Sequence, residues 1–153
     1  MSIEARLEEL GIVLPEAAAP VASYVPVVVH GGMAYVSGQI SFVDGELIKG
    51  RLGEDVSLDD GMKAARGCGL MILAQLKAAL GSLDRVERVI KLGGFVSSTP
   101  DFTDQPKVVN GASDLMLEVF GEAGKHSRAA VGVPSLPLGV AVEVDAIVAV
   151  SGE

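Results

Sequence analysis

Ser127–Val133 reads S-R-A-A-V-G-V, and after P-S-L-P-L-G the chain continues over Val140–Val150 as V-A-V-E-V-D-A-I-V-A-V. In the second run the even positions are Val140, Val142, Val144, Ala146, Val148 and Val150, and the odd ones Ala141, Glu143, Asp145, Ile147 and Ala149. A period of two predicts a strand with one wholly apolar face and one face carrying two carboxylates among small apolar residues. The first run is a second short strand, and Pro134, Pro137 and Gly139 punctuate the connection. Paired as a hairpin about that loop, the strands put Arg128 opposite Asp145 with Glu143 on the diagonal, all on one face. Ile147 and Ala149 would not be left in water beside such a polar island, so another surface is expected to cover this face.

Working outward, Ser2 caps a predicted helix over Ile3–Leu10, ended by Gly11. Val21–His30 and Met33–Ile40 are strands joined by Gly31-Gly32, and Asp44-Gly45 turns into a short strand around Glu46–Ile48. Ser57 caps a helix from about Leu58 to Leu80 with Asp59 and Asp60 in its first turn and Gly81 as its stop. Gly67 and Gly69 within that helix predict close packing against another backbone. Val86–Ser97 is a strand in which Gly93-Gly94 marks a bulge or a close approach. Asp104 and Pro106 open a second helix to about Phe120, ended by Gly121. The order predicts an α+β layer pair, one sheet with both helices on one face. Residues 1–15 read as a helical extension and 16–153 as one domain.

Composition narrows the function. A chain of 153 residues, 49% hydrophobic, buries a real core. A formal charge of −8 argues against nucleic acid as a partner, since phosphate binding needs a basic surface. One cysteine, Cys68, excludes an internal disulfide and a cysteine-rich metal site, and His30 and His126 sit in no ligand motif, so no metal is expected. Residues 17–43 lack Asp, Glu, Lys and Arg, but Pro20, Ser23, Pro26, His30, Gly31 and Gly32 break the run, which is strand-like rather than membrane-spanning. The N-terminus is acidic and amphipathic, unlike a signal peptide, and a cytoplasmic location is expected.

The run S-R-A-A-V … L-P-L-G-V-A-V-E-V-D-A-I-V resembles the C-terminal signature of the RidA (YjgF) family. Tyr24 followed by M-A-Y-V-S-G-Q-I resembles that family's strand ending in Ser-Gly-Gln, and V-V-N-G-A-S-D-L-M-L-E-V-F-G its second helix with an asparagine near the start. The three lie in the family's order over about residues 20–150. The resemblance implies a chorismate-mutase-like fold assembled as a homotrimer, with the sheets facing inward and clefts between subunits. It implies hydrolysis of enamines or imines derived from amino acids, giving a 2-keto acid and ammonia without a cofactor.

Carried over residue by residue, Arg128 corresponds to the arginine that holds a substrate carboxylate, and Glu143 to the glutamate that positions the hydrolytic water. Tyr24 corresponds to a cleft tyrosine and Asn110 to a helix asparagine, and Ser37, Gly38 and Gln39 can offer backbone groups to a ligand. Asp145 reads as structural. Each also has a plainer reading: an Arg128–Asp145 or Arg128–Glu143 salt bridge, an edge tyrosine, a glycine that permits a bend, a surface asparagine. One departure stands out. The family usually has a cysteine two residues after the arginine, and here that position is Ala130. Cys68 lies on a helix and cannot replace it, so thiol chemistry is not expected, whereas imine hydrolysis needs no sulfur. A non-catalytic binder of a keto acid-like metabolite is the alternative. Ribonuclease activity, sometimes attached to the family, fits the acidic composition least.

Overall fold

The computed structural model describes residues 1–19 and 23–152. Helix α1 (Ile3–Glu9) begins where the Ser2 Oγ accepts from the Ala5 amide. Strands β1 (Val27–His30) and β2 (Met33–Ile40) form a hairpin through Gly31 and Gly32, whose φ values of 60° and 76° suit a primed turn. Of the strand expected from Val21, residues 21 and 22 lie outside the described residues, and pairing starts only at Val27. Strands β3 (Phe42–Val43) and β4 (Glu46–Leu47) turn through Asp44-Gly45. Helix α2 (Leu58–Leu80) starts at the Ser57 cap and stops at Gly81. Strand β5 (Val86–Ser97), helix α3 (Gln105–Phe120), strand β6 (Ser127–Val133) and strand β7 (Val142–Val150) complete the chain.

The main sheet has five strands in the order β1-β2-β7-β5-β6; β5 and β6 are parallel and the other neighbours antiparallel. Two expectations are corrected here. First, β3 and β4 form a separate two-stranded ribbon, so the described residues form two sheets rather than one. The ribbon lies on α2, where a Cβ on Gly67 would come within 2.7 Å of the Phe42 carbonyl oxygen; Gly69 likewise faces Leu115 and Ala112 of α3.

Second, β6 and β7 do not form a hairpin, because β5 lies between them. Helix α3 carries the chain back to run β6 parallel to β5, the crossover that a parallel pair requires. The loop from Pro134 then crosses the end of β5, where the Ser98 amide donates to the Val133 carbonyl (3.1 Å) and the Ser97 amide to that of Ala141 (2.9 Å). Gly94 is a close approach, its missing Cβ leaving room for Val109 of α3. The register irregularities of β5 against β7 fall earlier, between Val86 and Lys91.

The core lies between the sheet and the helices. Val142, Val144, Ala146, Val148 and Val150 meet Ile72, Leu76, Val109, Ala112 and Leu115 in one buried cluster. Burial of this apolar surface is the main favourable term in folding. Leu7 of α1 belongs to the same cluster, and Arg6 Nε donates to the Glu118 carbonyl at 2.9 Å, so the helix layer has three members. The other sheet face is open in the single chain: Val28 stays 49% exposed, and Tyr35 and Val131 45%. Among the described residues no helix is long and apolar enough to cross a membrane.

Candidate functional site

Strand register fixes which side chains share a face. Leu92, fully buried under the helices, is the partner of both Ala146 and Arg128. Arg128 therefore points to the helix side, at the sheet's outer edge. Gly93 is the partner of Asp145, and an ideal Cβ on it would fall onto the Asp145 carboxylate. Asp145 and Glu143, two residues apart on β7, thus occupy the open face. The expected Arg128–Asp145–Glu143 island is corrected accordingly. Two strand spacings and three residues of offset separate Arg128 and Glu143 by about 14 Å of backbone, on opposite faces.

At the helix-side edge, Arg128 Nη1 donates to Asn110 Oδ1 at 2.8 Å and to Ser113 Oγ at 3.1 Å. Asn110 and Ser113 are one turn apart on α3 and so share a face. Both partners are neutral. Among the described residues no carboxylate lies within ion-pair distance of Arg128, so its charge is uncompensated. Ala130 follows on the same side of β6 and packs partly against the core. The sequence reading does not single out Ser113 and sets His126 aside as no metal ligand, although His126 precedes Arg128 by two in extended chain and Ser113 follows Asn110 by three on a helix. Ser113 Oγ lies 2.9 Å from His126 Nε2, and His126 Nδ1 lies 2.6 Å from the Gly124 carbonyl.

On the open face, β2 carries one extra residue against β7. Val36 pairs with Ala146 and Gln39 with Val144, leaving Ser37 and Gly38 opposite Asp145 alone. This is a bulge, which bends the strand and re-aims its neighbours. An ideal Cβ on Gly38 would land on the Glu143 carboxylate, so only glycine gives that carboxylate its place. Ser37 is already engaged: its amide donates to the Pro26 carbonyl (2.9 Å) and its hydroxyl to that of Val25 (3.3 Å). Those bonds lay the segment bearing Tyr24, 53% exposed, beside the bulge. Gln39 turns inward and accepts from Gln75 at 3.4 Å.

Partial burial, reinforced by the charge of Asp145, pushes the Glu143 carboxyl above its ordinary range. Burial also raises Asp145, against the lowering effects of the Gly93 amide and the Lys91 charge. Neither has a cation within ion-pair distance among the described residues. Cys68 is buried beneath, its thiol against the Val142 carbonyl at 3.4 Å and pushed far up by burial and by Glu143, which makes it inert.

Comparison with known proteins places this geometry. Residues 4–149 match the family described as "YjgF/chorismate mutase-like, putative endoribonuclease". Protein TCP17 of Trypanosoma cruzi is 53% identical over 148 residues, covering 95% of this chain and 92% of that protein. The crystal structure of Atu1372 from Agrobacterium tumefaciens is 50% identical, superimposes with a TM-score of 0.90, and is matched over 97% of this chain and 92% of its own. RidA from the Antarctic bacterium Psychrobacter is 28% identical with a TM-score of 0.62, matched over 88% of this chain and 94% of its own. The chain belongs to the Rid/YjgF family. That membership points to small-molecule work, deamination or binding, and the backbone follows Atu1372 more closely than RidA.

Proposed function

We propose that the protein hydrolyses reactive enamine or imine intermediates derived from amino acids, in a cleft formed between copies of the chain in a homotrimer. The observation that carries this reading is the division of the site. Arg128 and Asn110 lie on the helix side at one sheet edge, and Glu143, Gly38 and Ser37 lie on the open face. One chain cannot bring them to a common substrate. The edge of one copy set against the open face of the next does so, and covers Val28, Tyr35 and Val131 as well. The halves are complementary in charge: among the described residues Arg128 has no carboxylate, and Glu143 no cation, within ion-pair distance.

In this cleft Arg128 takes the substrate carboxylate on its Nε–Nη2 edge. The neighbouring Glu143 orients a water and takes a proton from it as the water oxygen adds to the imine carbon. Its raised pKa makes it the better base. Glu143 returns that proton to the nitrogen. It then takes the hydroxyl proton of the carbinolamine and passes it to the nitrogen as the C=O bond forms and the C–N bond breaks, and a 2-keto acid and ammonia leave. The reaction consumes one water and needs no cofactor, with positioning and electrostatics as the protein's contribution.

Ala130 supports the second reading, a binder of keto acid-like metabolites, because the site lacks the thiol common in the family. A coupled assay separates the two: 2-iminopropionate and longer imino acids are generated in situ, and keto-acid release is followed with wild type, Arg128→Ala and Glu143→Gln. Acceleration lost in both variants supports the hydrolase. No acceleration with any imino acid, together with Arg128-dependent binding of keto acids, moves the protein to the binder.

A further inference from the structure

We infer that Ser113 and His126 are positioning residues: they form a hydrogen-bonded brace that sets the Arg128 guanidinium for a carboxylate. This rests on the reading of Arg128 given above.

A backbone carbonyl only accepts, so the 2.6 Å contact to Gly124 requires His126 to carry its proton on Nδ1. In the neutral ring Nε2 is then an acceptor. Ser113 Oγ, 2.9 Å away, supplies the hydrogen. With its hydrogen turned to His126, Ser113 presents a lone pair to Arg128 Nη1 at 3.1 Å. Asn110 Oδ1 takes the second Nη1 hydrogen at 2.8 Å. Two acceptors on one nitrogen fix the guanidinium plane, and among the described residues the Nε–Nη2 edge carries no protein partner. That edge is the planar fork that holds a carboxylate bidentately.

The chain of bonds runs from Gly124 through His126 and Ser113 to Arg128, each link oriented by the one before. It is anchored in packing, since Gly124 is buried and an ideal Cβ on it would fall onto the Met116 carbonyl of α3. Ser113 itself is 8% exposed. Such a brace preorganises a flexible side chain, so that less freedom is lost when the ligand arrives.

Substitutions at His126 separate the brace from simple support. Asn keeps a donor for Gly124 but does not reach Ser113, whereas Gln places an acceptor near the Nε2 position. With pyruvate as probe in titration calorimetry, S113A and H126N each weaken binding about three- to tenfold, the loss of one hydrogen bond. H126Q recovers most of what H126N loses, and S113A/H126N is no weaker than S113A, as expected for residues acting in series. In turnover the same variants raise KM and leave kcat within about twofold. Ligand-free nitrogen NMR gives an independent reading: the Nδ1–H tautomer of His126, and separate Arg128 Nη signals that merge in S113A and H126N.

Wild-type affinity in S113A and H126N, with binding lost in R128A, would overturn the brace while leaving Arg128 as the anchor. Unchanged affinity in R128A would remove the anchor and the brace together. An Nε2–H tautomer, or Nη signals indifferent to S113A, would overturn the brace whether or not pyruvate binds.

Discussion

At the outer edge of the sheet, Arg128 has two neutral hydrogen-bond acceptors on Nη1 and, among the described residues, no partner on its Nε–Nη2 edge. At the bulge between β2 and β7, Glu143 lies against Gly38 with Asp145 close enough to oppose its ionisation and, among the described residues, no cation within ion-pair distance. The first region is complete within one chain. The second is held under electrostatic tension that one chain does not relieve. A fold maintains such a contrast at a cost in stability, and perturbed carboxylates of this kind mark functional positions more often than structural ones.

The largest effects should come from separating the halves. R128A removes charge-assisted bonds to the substrate carboxylate and lowers kcat/KM about 100-fold. E143Q lowers kcat by about 100-fold or more while keto-acid affinity stays near wild type. If the halves meet only between copies, dissociating and reassembling the two inactive variants at equal ratio restores activity to about a quarter of wild type, because about one site in four draws both intact residues. A mixture no more active than its components would mean that the site lies within single chains.

Next comes Gly38→Val, which drives methyl groups into the space of the Glu143 carboxylate. The carboxylate sits at the end of a flexible side chain and can give way, so stability falls little, whereas its displacement costs about 100-fold in kcat. A smaller effect has the opposite sign. Because Glu143 titrates above its ordinary value in the folded chain, the protein loses stability as pH rises from the unfolded carboxylate range through the folded value. E143Q escapes that loss. It is expected to be slightly more stable than wild type at pH 7, and the gain closes below about pH 4. A destabilised E143Q would show that a cation from a neighbouring copy already neutralises Glu143. Smallest of all is Ala130→Cys, which restores the common family residue on the side of Arg128. Turnover within about twofold of wild type would confirm that the mechanism does not use sulfur.

What the sequence revealed follows the range of the interactions involved. Ser57 and Gly81 bound α2, and Gly31-Gly32 and Asp44-Gly45 make the turns expected of them, because caps and turns are settled within a few residues. Arg128, Glu143 and Asn110 were singled out through the resemblance to the family's motifs, whereas the two faces of β7 were legible from its period of two. Strand order was not, since nothing local to Ser127–Val133 records that β5 will lie between it and β7. The error propagated: once β6 and β7 were taken as neighbours, Arg128 fell on the face of Glu143. His126 offers no metal-ligand spacing, and the informative signal was instead its parity with Arg128 along the extended chain.

The position of β7 has a further consequence. It is bonded along both edges, to β2 and to β5, while β6 is bonded along one. In hydrogen–deuterium exchange the amides of Val142–Val150 will be among the last to label, and those along the outer margin of Ser127–Val133 among the first. The carboxylate is carried by an interior strand of the sheet, and the guanidinium by an edge strand, where it is held from a helix.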